Sequence, residues 1–159
     1  MTKLANYPKQ YSGKHNPVPY AICAGGVVYR KSGSVYQYLL LVRNDNPNTY
    51  HLPKGTLHVD ETLEQCALRE IQEESGAKTA LTTYLGATNR QFISHGKYCD
   101  KSVHYYAAEY IDTVGDIDTE HDGTVWCTYA EAVTKLATHK KQEQVFIERC
   151  DAFLHNSIS

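Results

Sequence analysis

The pattern of apolar and polar positions predicts a β-hairpin near the start of the chain. The segment YAICAGGVVYR (20–30) is rich in strand-forming residues, and VYQYLLLVR (35–43) is a mostly apolar run suited to a buried central strand. The KSGS segment between them is typical of a turn, so we predict that the two strands pair. The adjacent Gly25 and Gly26 indicate a bulge, or the close approach of another backbone or a ligand.

A helix is predicted after the loop 44–61, whose length and many turn-forming residues are typical of a functional or a disordered segment. Thr62 and Gln65 fit a capping box at the helix start, and Gly76 is suited to its end. We therefore predict a helix over 62–75. Its core-facing stripe has a spacing of four residues and is formed by Leu63, Ala67 and Ile71.

The rest of the chain is predicted to alternate between strands and helices. Strands are expected at 77–93, 101–111 and 124–129, with SHGKYCD as a hairpin loop between the first two, and helices at 130–139 and 142–154. The apolar stripe predicted for the last helix is formed by Val145, Phe146, Cys150 and Phe153. This order of elements predicts an α/β (α+β) fold in which a mixed β-sheet lies between helices.

The domain organisation predicted from the sequence is simple. A chain of 159 residues is long enough for one domain with a core, and too short for two ordinary ones. Residues 1–19 hold three of the five prolines among polar neighbours, and we predict an N-terminal arm there without repetitive structure. The single domain is predicted to occupy residues 20–155.

Composition and charge narrow the class of protein. The net charge is −2 and the pI is about 6.4, which argues against nucleic acid or membrane surfaces as partners. No apolar run approaches the roughly 18 residues that span a bilayer, and the N-terminus lacks the apolar region of a signal peptide. The five cysteines form no C-x-x-C pair, so we expect buried free thiols and a cytoplasmic location.

The segment REIQEESG (69–76) places three acidic residues near the end of the predicted helix. Glu70, Glu73 and Glu74 are three or four residues apart or adjacent, so they share one patch of the helix surface. At an effective dielectric constant near 20, each pair repels by roughly 3 kcal/mol when partly buried, and the helix dipole adds to the penalty. A solvated acidic face is one interpretation; a site for Mg²⁺ or Mn²⁺ is the other, because a divalent cation makes each carboxylate favourable.

The longer segment GTLHVDETLEQCALREIQEESGA (55–77) resembles the Nudix hydrolase box. That pattern is Gly, five residues, Glu, seven residues, Arg-Glu, an apolar residue, any residue, Glu-Glu, any residue, Gly and an apolar residue. The matching positions are Gly55, Glu61, Arg69, Glu70, Ile71, Glu73, Glu74 and Gly76, whereas Ala77 is smaller than the usual aliphatic residue. The resemblance extends to LPKG (52–55) before the box, and it implies the Nudix fold.

The resemblance also implies a reaction. Nudix enzymes hydrolyse a nucleoside diphosphate linked to another group, through attack of water on a phosphorus of the pyrophosphate. It implies that Glu73 and Glu74 bind Mg²⁺ or Mn²⁺ together with the carbonyl of Gly55. Glu70 would be a further ligand or the general base, and Arg69 would hold its carboxylate. Glu61 would have a structural role in tying the loop to the helix, by pairing with Arg69.

Two segments outside the box are similar to the asymmetrical diadenosine tetraphosphate hydrolases, namely KSVHYYAAEY (101–110) and TEHDGTVW (119–126). This similarity implies that Lys101 binds phosphate and that Tyr105 binds phosphate or stacks on adenine. Glu120 and His121 would lie on a loop near the metals, where either could assist base catalysis. Lys54, next to the box glycine, suits a phosphate oxygen, although a solvent-facing lysine is an equal alternative.

The best prediction is therefore Mg²⁺-dependent hydrolysis of a dinucleoside polyphosphate, such as diadenosine tetraphosphate, to ATP and AMP. The alternative within the class is a pyrophosphohydrolase for nucleoside triphosphates or for RNA 5′ ends. An alternative of another class is a non-catalytic domain that binds nucleotide as a sensor, but such domains typically lose box glutamates that this sequence retains. The predicted partner is a small-molecule nucleotide substrate, and neither a membrane nor a nucleic acid is expected as a partner.

Overall fold

The structure is a computed structural model that describes residues 10–13, 16–45, 47–117, 121–138 and 140–156, with side chains from residue 20 onward. Eight strands and three helices occur in these ranges. In chain order they are β1 (Gln10–Gly13), β2 (Asn16–Ser32), β3 (Val35–Arg43), β4 (Thr49–His51), β5 (Lys54–Thr56), α1 (Leu63–Ser75), β6 (Ala77–Ser94), β7 (Lys97–Thr113), β8 (Gly123–Cys127), α2 (Tyr129–Ala137) and α3 (Lys141–Asn156).

The strands form one mixed sheet. Its main order is β4-β3-β2-β7-β6, while β1 and β5 pair with β2, and β8 pairs with β3. The β2–β7 pair is parallel and every other pair is antiparallel. The predicted hairpin of β2 and β3 is confirmed, with Ser32 opposite Val35. Gly33 adopts a positive φ of 63° in the turn, a conformation that glycine allows without steric penalty.

Helices cover both faces of this sheet, as predicted. On β2, Cys23 and Val27 face α2 and α3, whereas Ala24 and Val28 face α1, because successive strand residues point to opposite sides. Apolar residues on the facing sides of the helices complete the two layers. These are Ala132, Leu136, Phe146, Ile147, Cys150 and Leu154 on one face, and Leu63, Cys66, Ala67 and Ile71 on the other.

The helix α1 has the start, stripe and end that its sequence predicts. The Thr62 hydroxyl accepts from the Gln65 backbone N–H at 3.1 Å, and the Gln65 side chain accepts from the Thr62 N–H at 2.9 Å. This capping box satisfies two backbone donors that the helix itself leaves unpaired. Gly76 ends the helix with φ 74°, in the left-handed region that glycine favours.

Gly25 and Gly26 permit the close backbone approach that the sequence predicted. The Gly26 N–H donates to the Pro53 carbonyl at 3.1 Å, and a Cβ atom on Gly25 would overlap that same carbonyl oxygen. A Cβ atom on Gly26 would come within 2.7 Å of the Tyr106 carbonyl oxygen. Gly25 thus lets β5, with the start of the segment 55–77, lie directly against β2, while Gly26 lets β2 approach β7 closely.

Three predictions about loops are wrong. Part of the segment 1–19 is regular, since β1 pairs with the first residues of β2. The loop 44–61 contains the short strands β4 and β5. The segment 94–100 is not a hairpin loop, because β6 and β7 continue to a two-residue turn at His95 and Gly96, both with positive φ. The end of this ribbon is largely exposed, so it lacks the apolar alternation that indicates a strand.

The predicted stripe of α3 also needs correction. Val145 is 39% exposed, whereas Ile147 and Leu154 are buried beside Phe146 and Cys150. Glu143 belongs to the same buried face. The spacing 143, 146, 147, 150, 154 is that of one helical face, and residue 145 lies off it.

The composition predicted buried free thiols and no membrane-spanning segment, and the structure can be compared with both predictions. All five cysteines are free thiols, and all but Cys99 are buried. In the described ranges no helix has both the length and the apolar character needed to cross a bilayer. The division into an arm at 1–19 and a domain at 20–155 stays a prediction.

Candidate active site

Arg69 is the centre of an ion-pair network at the surface of α1. Its Nε and Nη2 atoms donate to the two Glu61 carboxylate oxygens at 2.7 and 2.9 Å, which confirms the pairing predicted for Glu61. Its Nη1 atom donates to Glu70 at 2.7 Å and to Glu73 at 3.1 Å, and Nη2 also donates to the Thr56 carbonyl at 3.0 Å. The hydrogen bonds from Arg69 lower the pKa of Glu61 to about 2. One guanidinium therefore ties the β5 region to the helix.

The same network leaves an excess of negative charge. Glu61, Glu70 and Glu73 share the single guanidinium of Arg69, and the nearby carboxylate of Glu74 accepts from the Lys54 backbone N–H at 3.1 Å. Carboxylates in such excess are the ligands that hard divalent cations prefer.

Gly55 brings the strand β5 against this patch. The carboxylate of Glu70 lies in the space that a Cβ atom on residue 55 would occupy. The Gly55 carbonyl is 3.5 Å from the Cys66 thiol, which donates to it from α1. Because residue 55 has no side chain, its backbone and the Glu70 carboxylate are in direct contact.

A cleft of about 500 Å³ opens beside this contact. Of the residues predicted from the sequence, it brings together Lys54, Gly55, Glu74 and Lys101. Other lining residues come from the ends of β3 and β4, the segment before β8 and the residue before α3. They include Arg43, Asp45, Thr49, His51, His121 and Lys140.

Tyr105 does not belong to this cleft. Its side chain is 2% exposed, and its ring centroid lies 4.3 Å from that of Phe146 in the core below α3. Burial raises the pKa of its hydroxyl well above the ordinary value. Strand alternation turns residue 105 inward, so its placement argues against the predicted contact with substrate. Glu120, the other residue predicted from flanking similarity, lies outside the described residues.

His121, predicted near the metals, packs against a second histidine. It is 5% exposed, and its ring centroid is 4.5 Å from that of His51. Burial lowers the pKa of His51 to about 3, with further contributions from His121, Lys54, Arg43 and Lys140. His51 is therefore neutral near pH 7 and contributes an uncharged ring to the cleft.

Sequence reasoning missed Glu143. Its carboxylate is 3% exposed and accepts from the Leu52 backbone N–H at 3.0 and 3.3 Å. It also pairs with the Lys54 ammonium at 3.4 Å, which settles Lys54 as a cleft residue rather than a solvent-facing one. A glutamate on the apolar face of an amphipathic helix was the available signal, since buried charges are normally paired.

The oxygen atoms near Gly55 are possible ligands for a metal ion. In the described ranges, no three or more His, Cys, Asp and Glu side chains converge as a ready-made metal site, and Arg69 engages the carboxylates of both Glu70 and Glu73. The hard oxygen donors, their excess negative charge and the glycine that admits Glu70 nevertheless fit Mg²⁺ or Mn²⁺. Binding would require these carboxylates to share Arg69 with the cation.

The chain is similar to known proteins of one family. The family model of the NUDIX domain matches residues 19–150. The asymmetrical bis(5′-nucleosyl)-tetraphosphatase of Caenorhabditis elegans is 29% identical over 133 residues, which cover 82% of this chain and 94% of that protein. An RNA pyrophosphohydrolase of Sphingopyxis alaskensis is 24% identical over 115 residues, covering 65% of this chain and 72% of that protein.

One relative is much longer than the matched region. A protein of Mycobacterium tuberculosis, named as a mutator protein, is 33% identical over 89 residues; the match covers 55% of this chain and only 36% of the relative. Among solved structures, a C. elegans Ap4A hydrolase in a binary complex aligns with a TM-score of 0.63 and 24% identity, over 86% of this chain and 98% of that one. The family match spans the sheet, the box and most of α3, so the chain belongs to the NUDIX domain family and is a pyrophosphohydrolase of that family.

Proposed function

We propose that the protein hydrolyses dinucleoside polyphosphates in a divalent-metal-dependent reaction, and that diadenosine tetraphosphate is cleaved to ATP and AMP. The observation that carries the proposal is that one cleft joins the box residues Gly55 and Glu74 to the cationic side chains of Lys54 and Lys101. Such a cleft has groups for both a cation and a polyphosphate. The C. elegans relative, which matches over most of its length, supports this substrate class.

In this proposal the glutamates of α1 hold the cation. Glu73 and Glu74, with the Gly55 carbonyl, would bind Mg²⁺ or Mn²⁺, and Glu70 would be a further ligand or the general base. When bound, the cation polarises phosphoryl oxygens and lowers the pKa of coordinated water. Glu70 in the second role accepts the proton of the attacking water, and Arg69, whose Nη1 lies 2.7 Å from it, holds the carboxylate in position.

Lys54 and Lys101 bind the phosphates of the substrate. Lys54 and Lys101 supply point charges that suit non-bridging phosphate oxygens and stabilise the negative charge that grows on the leaving phosphate. The ion pair with Glu143, at 3.4 Å, restrains the position of the Lys54 ammonium group. The five free cysteines support a reducing compartment and hence the proposed cytoplasmic location.

Product analysis tests the proposal. The protein is incubated with Mg²⁺ and, separately, with diadenosine tetraphosphate, ADP-ribose, a nucleoside triphosphate and 5′-triphosphorylated RNA. We expect diadenosine tetraphosphate to give ATP and AMP in equal amounts. Two ADP molecules would contradict asymmetric cleavage. Faster release of pyrophosphate from RNA would favour the activity named for the S. alaskensis relative, and nucleotide binding without any cleavage would favour a sensor.

A further inference from the structure

Three lysines meet in the cleft although they belong to separate parts of the chain. Lys54 lies in β5, Lys101 in β7 and Lys140 immediately before α3. Lys54 has a counter-ion, Glu143, at 3.4 Å. Within the part of the chain that the structure describes, neither Lys101 nor Lys140 forms an ion pair. Together with Arg43, the three lysines outnumber the two carboxylates that also line the cleft, those of Asp45 and Glu74, and an excess of positive charge in a concave site favours a bound anion.

The electrostatic environment of Lys140 shows that the lysines affect one another. Lys140 is exposed at the mouth of the cleft, but desolvation by its neighbours still lowers the pKa of its ammonium group, and the charges of Lys54, Arg90 and Lys101 lower it further, while Glu143 acts in the opposite direction. The repulsion among these groups parallels that among the box glutamates. A bound cation reduces the repulsion among the carboxylates, and a bound polyanion would reduce the repulsion among these lysines.

A chain of contacts shows where Lys140 lies relative to the box. The Lys54 backbone N–H donates to Glu74 at 3.1 Å, while its side chain points to Glu143 at 3.4 Å. The Glu143 backbone N–H in turn donates to the Lys140 carbonyl at 2.8 Å. Lys140 is therefore separated from Glu74 by Lys54 and the first turn of α3.

We propose that Lys140 binds a phosphate of the substrate remote from the cleaved bond, so that the cleft favours chains of four phosphates over a simple pyrophosphate. The inference rests on the proposed function and names the feature of the substrate that this site selects. A pyrophosphate held at the box reaches Glu74 and Lys54. Additional phosphates, each carrying about one further negative charge, extend to Lys140.

Two ligands that differ only in phosphate number test the inference. Diadenosine tetraphosphate and diadenosine diphosphate carry the same two nucleosides, and their dissociation constants are measured calorimetrically with Ca²⁺ in place of Mg²⁺. The test variant is Lys140→Met. The matched control is Lys141→Met: both lysines are exposed, but Lys141 does not line the cleft.

We expect Lys140→Met to weaken tetraphosphate binding about tenfold or more, as loss of a charge-assisted hydrogen bond does, and to change diphosphate binding less than about twofold. Lys141→Met should alter neither, and Lys140→Arg should retain most of the preference. An equal loss for both ligands, an equal effect of the two lysine variants or no loss at all would overturn the inference. Because these readouts need no turnover, a failure to hydrolyse the substrate would count against the proposed function alone.

Discussion

The carboxylate of Glu70 packs directly against the α-carbon of Gly55, in the space that any side chain at residue 55 would need. Residue 55 adopts no positive φ, so the demand for glycine is one of close approach and not of backbone conformation. The contact sets the distance between β5 and α1, and with it the position of the Gly55 carbonyl relative to the acidic patch.

Gly55→Ala should therefore inactivate the enzyme without unfolding it. The added methyl group displaces the Glu70 carboxylate, and displacements near 1 Å lower turnover by about a hundredfold. Steady-state kinetics and thermal unfolding measure the two effects. Gly115→Ala is the matched control, because a Cβ atom there meets nothing within 4 Å. Full activity in Gly55→Ala would show that this contact is dispensable.

Glu74→Gln should lower turnover by about a hundredfold or more, since it removes an electrostatic contribution at the reacting group. The amide oxygen can still accept from the Lys54 N–H, so the fold should persist. Titration with Mn²⁺, followed by electron paramagnetic resonance, should show weaker metal binding. Glu148→Gln, an exposed residue of α3, removes the same charge elsewhere. Near-wild-type activity of Glu74→Gln would refute the metal assignment.

Arg69→Lys should be costly despite the retained charge. A lysine cannot reproduce the planar fork that joins Glu61, Glu70 and Glu73. We expect a loss of about 1.5–3 kcal/mol in the free energy of unfolding, as for lost hydrogen bonds to charged groups, together with lower turnover. Urea unfolding checks the first and kinetics the second. An unchanged midpoint would show that the network contributes little to stability.

Substitutions of Glu143 should separate its two contacts. Glu143→Gln keeps an acceptor for the Leu52 N–H but removes the counter-ion of Lys54. The freed ammonium should make the variant bind diadenosine tetraphosphate more tightly in Ca²⁺. Glu143→Ala leaves a buried N–H without an acceptor and should lower the free energy of unfolding by about 1–3 kcal/mol. Weaker nucleotide binding by the glutamine variant would contradict this account.

Acid should destabilise the protein partly through His51. The pKa of this imidazole is about 3 in the folded protein, below its ordinary value of 6.5. As the pH falls from 6.5 towards 3, the unfolded chain gains a proton that the folded chain does not, so stability is lost over this window. Denaturation at about pH 7 and about pH 4 should show a smaller loss for His51→Gln than for the wild type. Equal losses would remove His51 from the explanation.

Local rules were sufficient for the hairpin and for α1. The capping box of Thr62 and Gln65, the end at Gly76 and the pairing of Glu61 with Arg69 depend on residues close in sequence, where fixed helical geometry decides which side chains meet. The same rules failed for the exposed end of the β6–β7 ribbon, because strands without a buried face have no apolar alternation. The substrate contact predicted for Tyr105 came from the family resemblance and not from a local rule. Tyr105 and its neighbour Tyr106 are both buried, because helices cover both faces of the sheet.

The sequence by itself determined the acidic patch and the capped helix that carries it, because these follow from spacings within 23 residues, and the reaction class was implied by the resemblance of that segment to the Nudix box. Only the tertiary structure decided that Lys54 meets Glu143, that Lys140 and the two histidines line the cleft, and that Tyr105 lies in the core. Those contacts join residues up to about ninety positions apart. Their formation depends on how the sheet and α3 pack, and no local periodicity encodes that packing.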